Sequence, residues 1–199
     1  MNDNKNYVSS LHSDNIVAFL ADIFERRGHE EYLGEPVTMA EHMLQGAHFA
    51  RLADESEPVV VATLLHDIGH FTSEFGTFSM QDTEDRYHET AGAKVLEKFF
   101  PSLVTDCVRY HVSAKRYLCA VDPDYYSRLS QASVHSLNLQ GGIMNKTEVA
   151  GFKQQANLQA IVSVRQYDDQ GKVAGLRTPS FSHYIPAIER VVAAHIADS

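Results

Sequence analysis

Residues 57–70 read EPVVVATLLHDIGH, and this stretch decides the fold. Pro58 suits the first turn of a helix, and the positions from Val59 to Leu65 leave it no polar face. Such a helix is stable only when other elements surround it, so it reads as the buried centre of a bundle. Its end carries His66, Asp67 and His70. Burying imidazole and carboxylate side by side is costly unless something pairs with both. A divalent or trivalent metal is the natural partner, because these are its borderline and hard ligands. If the helix runs through His70, His66 and His70 share a face and Asp67 is rotated by about 100°. The alternative is a helix-terminal His–Asp hydrogen-bond pair.

Outward from this centre the hydrophobic pattern stays helical. Residues 14–27 carry Ile16, Val17, Leu20, Ile23 and Phe24 on one stripe, with Gly28 as a stop. Residues 38–53 open with a capping box, Thr38 and Glu41. Pro101 divides two further helices, 85–100 and 101–120. Shorter helical stretches are expected at about 125–138, 145–155 and 156–168, then a loop or small hairpin over 169–179, then a last helix over 182–197. No alternating strand run, repeat or linker interrupts this pattern. The expectation is an all-α bundle, a single domain over 1–199.

Composition narrows the function. The chain has 199 residues, 44% hydrophobic and 22% charged, with a net charge of −9. An acidic balance argues against non-specific binding to nucleic acid or an anionic membrane. Cys107 and Cys119 are too few for a disulfide framework, and neither a signal segment nor a membrane span is visible, so a cytoplasmic protein is expected.

The chain holds eleven histidines, and where they fall matters more than their number. His42 precedes His66 by 24 residues, His88 follows Asp67 by 21, and His111 follows His88 by 23. Each interval spans about a helix plus a turn, so a bundle can bring them to one level of its core. Singly, each reads as a satisfied core histidine. At regular intervals, together they favour a metal site. His12, His29, His48, His135, His183 and His195 have no partner motif and read as surface or capping residues.

The order His42, His66-Asp67, His88, His111 and a late Asp168 resembles the HD-domain superfamily, and more narrowly its mixed-valent diiron oxygenases, the group that includes myo-inositol oxygenase. Within that group the chain is similar to the oxygenases that cleave 1-hydroxy-2-aminoethylphosphonates. The likeness covers nearly the whole chain. It includes Tyr32-Leu33-Gly34-Glu35, the run His111-Val112-Ser113-Ala114-Lys115-Arg116-Tyr117-Leu118, Leu129-Ser130-Gln131-Ala132-Ser133, Gln140-Gly141-Gly142, and Arg165-Gln166-Tyr167-Asp168.

The resemblance implies an HD-domain helical bundle with a dinuclear site in its core. It implies that His42, His66, Asp67 and Asp168 hold one iron and His88 and His111 the other, with Asp67 bridging a mixed-valent Fe(II)/Fe(III) pair and O2 as co-substrate. It further implies that His70, Lys115, Ser133 and Arg165 surround a phosphonate group. Tyr32 would ligate an iron until substrate displaces it, and Glu35 would move with it. On their own, Tyr32 and Glu35 read as an exposed loop. Physically, a dianion in an acidic protein needs local positive charge, a bidentate fork from Arg and a point charge from Lys.

The implied reaction is oxidative cleavage of a carbon–phosphorus bond in a small-molecule organophosphonate. A primary amine substrate would give glycine and phosphate. The trimethylammonium form, (R)-1-hydroxy-2-(trimethylammonio)ethylphosphonate, would give glycine betaine and phosphate. Phe71, Phe75, Phe78 and Tyr87 could face a quaternary ammonium, a slight lean toward the trimethylated form, with ordinary packing of a loop onto the bundle an equal alternative. The competing reading is a metal-dependent phosphohydrolase, since a His-rich dinuclear site also serves phosphoester cleavage. Oligomeric state is not legible in the sequence.

Overall fold

The computed structural model describes residues 11–32, 34–72 and 83–198. Eleven helices lie among them: α1 (Ile16–Arg27), α2 (Met39–Leu52), α3 (Glu57–Leu65), α4 (Gly69–Thr72), α5 (His88–Leu96), α6 (Ser102–Val121), α7 (Tyr125–Arg128), α8 (Gln131–Leu139), α9 (Lys146–Phe152), α10 (Leu158–Gln170) and α11 (Phe181–Ala197). The described residues form no strand, only an isolated antiparallel bridge between Glu31 and Thr38. The all-α expectation therefore holds. No helix among them is long and apolar enough to cross a membrane.

Helix α3 is the axis, and α2, α6, α10 and α11 pack around it. Every residue from Val59 to Leu65 is buried. Burying each large apolar side chain here contributes about 1.5–3 kcal/mol. Thr63 is the one polar residue in the run, and its hydroxyl donates to the Val59 carbonyl one turn back at 2.8 Å. The expected capping box starts α2: the Glu41 amide donates to Thr38 Oγ1 at 3.2 Å, and the Thr38 amide donates to Glu41 Oε2 at 2.8 Å.

The axis helix is shorter than the apolar pattern suggests. It stops at Leu65, residues 66–68 form a turn, and α4 begins at Gly69. The break frees Asp67 from a single helical face, so its two carboxylate oxygens can point in different directions. Gly69 has a packing reason: a Cβ there would collide with the His88 carbonyl oxygen and sit 2.8 Å from the Gly92 amide nitrogen. Only glycine lets α5 lie this close to the turn.

Other boundaries shift for local reasons. The stretch expected over 85–100 is helical only from His88, preceded by Tyr87 in the left-handed region at φ 50°. The stretch expected over 125–138 is two helices, because Ser130 caps a new one by accepting the Ser133 amide at 3.1 Å. Helix α10 runs on to Gln170, and the segment after it is a loop rather than a hairpin. Buried Gln45 of α2 fixes that loop through both amide atoms, donating to the Val173 carbonyl and accepting from the Val173 amide, each at 2.9 Å.

Candidate active site

Histidine side chains from α2, the 66–68 turn, α5 and α6 meet beside α3, joined by Asp67 and by Asp168 of α10. All six residues are buried: His42, His66, Asp67, His88, His111 and Asp168. Three imidazoles are oriented by backbone. His42 Nδ1 lies 2.9 Å from the Gly171 carbonyl, His66 Nδ1 2.7 Å from that of Thr63, and His111 Nδ1 2.7 Å from that of Val108. A carbonyl can only accept, so each Nδ1 carries a proton, and whenever the ring is neutral its Nε2 presents a lone pair.

Those lone pairs converge. His42 Nε2 and His66 Nε2 lie 3.0 Å apart, and His88 Nε2 and His111 Nε2 lie 3.1 Å apart. Two lone pairs repel unless a cation sits between them. Two nitrogens about 2.1 Å from one ion at a right angle are about 3.0 Å apart, so the spacing fits metal coordination. The carboxylate of Asp67 is divided between the pairs. Its Oδ2 is 3.5 Å from both His42 Nε2 and His66 Nε2, whereas its Oδ1 is 3.2 Å from His88 Nε2 and 3.3 Å from His111 Nε2. Asp168 Oδ1, 3.4 Å from His42 Nε2, is buried with no hydrogen-bond partner. An orphaned carboxylate oxygen facing two imidazole lone pairs is a donor set in want of a cation. His42–His66–Asp168 and Asp67–His70–His88 each bring three ligand atoms within reach of one ion.

The protonation pattern agrees. Burial opposes charge on His42, but the Asp168 and Asp67 carboxylates beside it lift its pKa to about 9. Burial pushes His66 down to about 4. Burial also works against ionised Asp67, yet the surrounding histidines hold it well below the usual carboxylate range. The cluster thus demands positive charge and retains its anions.

His70 takes a different place from the one expected of a continuous helix. It stacks on His88 with centroids 4.0 Å apart, and its Nε2 is 3.9 Å from Asp67 Oδ1. Burial holds it neutral, well below the usual histidine value.

A tight cavity of about 40 Å³ adjoins the cluster, lined by His70, Lys115, Ser133, Arg165, Tyr32 and Glu35 among others. Tyr32 and Glu35 are therefore not an outward-facing loop. The Tyr32 ring stacks on His42 at 3.9 Å and 13°, and Glu35 accepts a hydrogen bond from the Ser130 hydroxyl. Arg165 is fully engaged on one side. Its Nη1 donates to Asp168 Oδ2 at 2.7 Å, its Nε donates to the Tyr125 hydroxyl at 3.0 Å, and its Nη2 donates to Asp169. Lys115 is 2% exposed, and its ammonium donates to Ser136 Oγ at 2.6 Å. Burial pushes its pKa down to about 7.

Sequence reasoning missed several of these residues. Lys172 lines the cavity, and Ser136, Tyr125 and Asp169 hold its charged groups. A signal existed for Asp169, which follows Arg165 by four residues, whereas Lys172 lies beyond the end of α10. Part of the aromatic set fails to face the cavity. Phe71 packs on Phe24 at 6.2 Å beneath Arg27, and Tyr87 is 62% exposed. Phe75, Phe78 and Leu33 lie outside the described residues.

The HD-domain family profile matches residues 39–137. The chain is 62% identical over 189 residues to the [1-hydroxy-2-(trimethylamino)ethyl]phosphonate dioxygenase (glycine-betaine-forming) of Leisingera caerulea, covering 95% of this chain and 96% of that one. It is 41% identical over 174 residues to the hydroxymethylphosphonate dioxygenase of Gimesia maris, covering 87% and 86%.

Proposed function

This chain belongs to the HD-domain family and, within it, to the phosphonate dioxygenases, and from that premise we propose that it uses O2 to cleave the carbon–phosphorus bond of [1-hydroxy-2-(trimethylamino)ethyl]phosphonate, giving glycine betaine and phosphate. One observation carries the assignment: the extent of identity to a relative of that activity, spread over almost the full length of both chains. The reaction consumes one O2 and adds one oxygen atom to carbon and one to phosphorus, so it balances without a further reductant.

We read the chain as one domain over 1–199, because Asp168 lies beyond the profile match yet shares the cluster with His42 and His66. His42, His66 and Asp168 would hold one ion, His88 and His111 the other, and Asp67 would bridge them. Iron in a mixed-valent Fe(II)/Fe(III) pair suits imidazole and carboxylate donors and a dioxygenase activity. When bound, such a pair supplies the redox chemistry that lets O2 react at carbon and positions the oxygens of the substrate.

The protein's own groups bind and orient. Arg165, Lys115 and Ser133 present donors to the phosphonate, in a chain whose net charge would otherwise repel it. Neutral His70 sits next to Asp67 with a ring nitrogen available to a substrate oxygen. Tyr32 and Glu35 close the cavity against water and must yield for the substrate to enter. The preference for the trimethylated amine rests on the relative rather than on Phe71 or Tyr87, which face elsewhere.

The test is phosphate release by iron-loaded protein with the trimethylated and primary amines, with and without O2. Strict O2 dependence and a higher kcat/KM for the trimethylated substrate are expected. Equal release without O2 would overturn the proposal in favour of phosphohydrolase chemistry.

A further inference from the structure

Three of the four paired imidazoles have Nδ1 set by a backbone carbonyl, that of Gly171, Thr63 or Val108. His88 differs. Its Nδ1 faces a side chain, with Glu89 Oε2 3.6 Å away. That oxygen is buried and has no hydrogen-bond partner, and Glu89 as a whole is 8% exposed. The rest of the His88 ring is held closely. His70 stacks on it, and its Nε2 lies 3.2 Å from Asp67 Oδ1 and 3.1 Å from His111 Nε2.

A carboxylate in the first turn of a helix is ordinary, because it faces the positive end of the dipole. Glu89 is the second residue of α5, but the dipole acts equally on a solvated carboxylate and gives no reason to bury one. Burial of a carboxylate is costly unless a partner offsets it. Adjacent residues of a helix normally point apart, yet Glu89 and His88 approach each other. Asp85, the neighbouring acid before α5, is tied to the Tyr87 amide at 3.1 Å.

The two halves of the cluster are also unequal in charge. The Nε2 atoms of His42 and His66 meet both Asp67 Oδ2 and Asp168 Oδ1. Those of His88 and His111 meet Asp67 Oδ1 and, among the described residues, no second carboxylate. The poorer half is the one with a carboxylate behind an imidazole. Negative charge beside Nδ1 favours a proton there, leaves the lone pair on Nε2 and makes that nitrogen a stronger donor.

We propose that Glu89 is a positioning residue that acts through His88, fixing its proton on Nδ1 and so strengthening the hold of the His88–His111 half on its ion. The inference rests on the two-ion reading above.

The experiment compares wild type, E89Q and E89D, with E97Q at the exposed far end of α5 as control. Iron counted per chain through a chelator titration follows the two ions. Wild type should hold two. E89Q should release one ion about 10–100-fold more readily and keep the other at wild-type affinity. E89D keeps the charge and should recover part of the loss, and E97Q should match wild type. In zinc-loaded protein labelled with 15N-histidine, the His88 Nδ1–H signal should shift in E89Q while those of His42, His66 and His111 stay in place. Equal weakening of both ions in E89Q, or a lower Tm of the metal-free protein without selective ion loss, would make Glu89 a structural residue of α5 and overturn the proposal. A wild-type spectrum with the His88 proton on Nε2 overturns it whatever the variants do. Wild-type protein that holds fewer than two ions refutes the dinuclear reading, whereas two ions held equally well by wild type and E89Q refute only the role of Glu89.

Discussion

Arg165 Nη1 donates to Asp168 Oδ2 at 2.7 Å, while the other oxygen of the same carboxylate faces the Nε2 atoms of His42 and His66. One guanidinium thus orients a carboxylate of the His/Asp cluster and lines the cavity beside it. The proposed metal centre and the proposed anion pocket share a wall, so a change on one side should be felt on the other.

Arg165→Lys is therefore expected to act twice. It should raise the substrate KM, and it should weaken metal retention about 10–100-fold, as loss of a partner to a ligand typically does. Lys115→Ala should raise KM and leave metal content alone, since Lys115 bonds only Ser136 among the described hydrogen bonds. Metal content followed through a chelator titration separates the two. Retention identical to wild type in Arg165→Lys would show that Asp168 does not need its partner.

Asp67→Ala should abolish binding of both ions, because its oxygens face opposite histidine pairs. His111→Ala should cost only one. Metal analysis of purified protein checks this, and two irons per chain in Asp67→Ala would remove the bridging role.

Gly69→Ala should displace α5, since the new methyl would meet the His88 carbonyl and the Gly92 amide. His88 would leave Asp67, and iron content should fall toward one per chain with a loss of about 1–3 kcal/mol in stability. Full metal content with an unchanged Tm would mean that the turn relaxes freely.

The Lys115 ammonium, pushed down to about 7 by burial, gives a pH signature. Anion binding needs the charged form, so kcat/KM should fall as pH rises above about 7, and Lys115→Arg should move that fall to higher pH. For stability the sign is opposite. Its unfolded pKa is near 10.5, so between about 7 and 10.5 the unfolded chain binds the extra proton and stability rises with pH. Lys115→Met should flatten this slope in denaturant titrations across that range.

The amino-acid sequence alone determined the central helix, because an apolar run with no polar face can only be buried, and it determined which residues have the chemistry of ligands. The capping box at Thr38 and the spacing of His42, His66, His88 and His111 were equally legible, since each depends on neighbours in the chain or on helix periodicity. Tertiary structure decided what depends on contacts between distant segments. It broke the helix at Leu65 so that Asp67 could serve two histidine pairs, set the Nδ1 partner of His42 through a loop that Gln45 fixes, and brought Lys172 beside Glu35. The last two arrangements arise from close approach and charge between segments more than a hundred residues apart, and no local pattern encodes that.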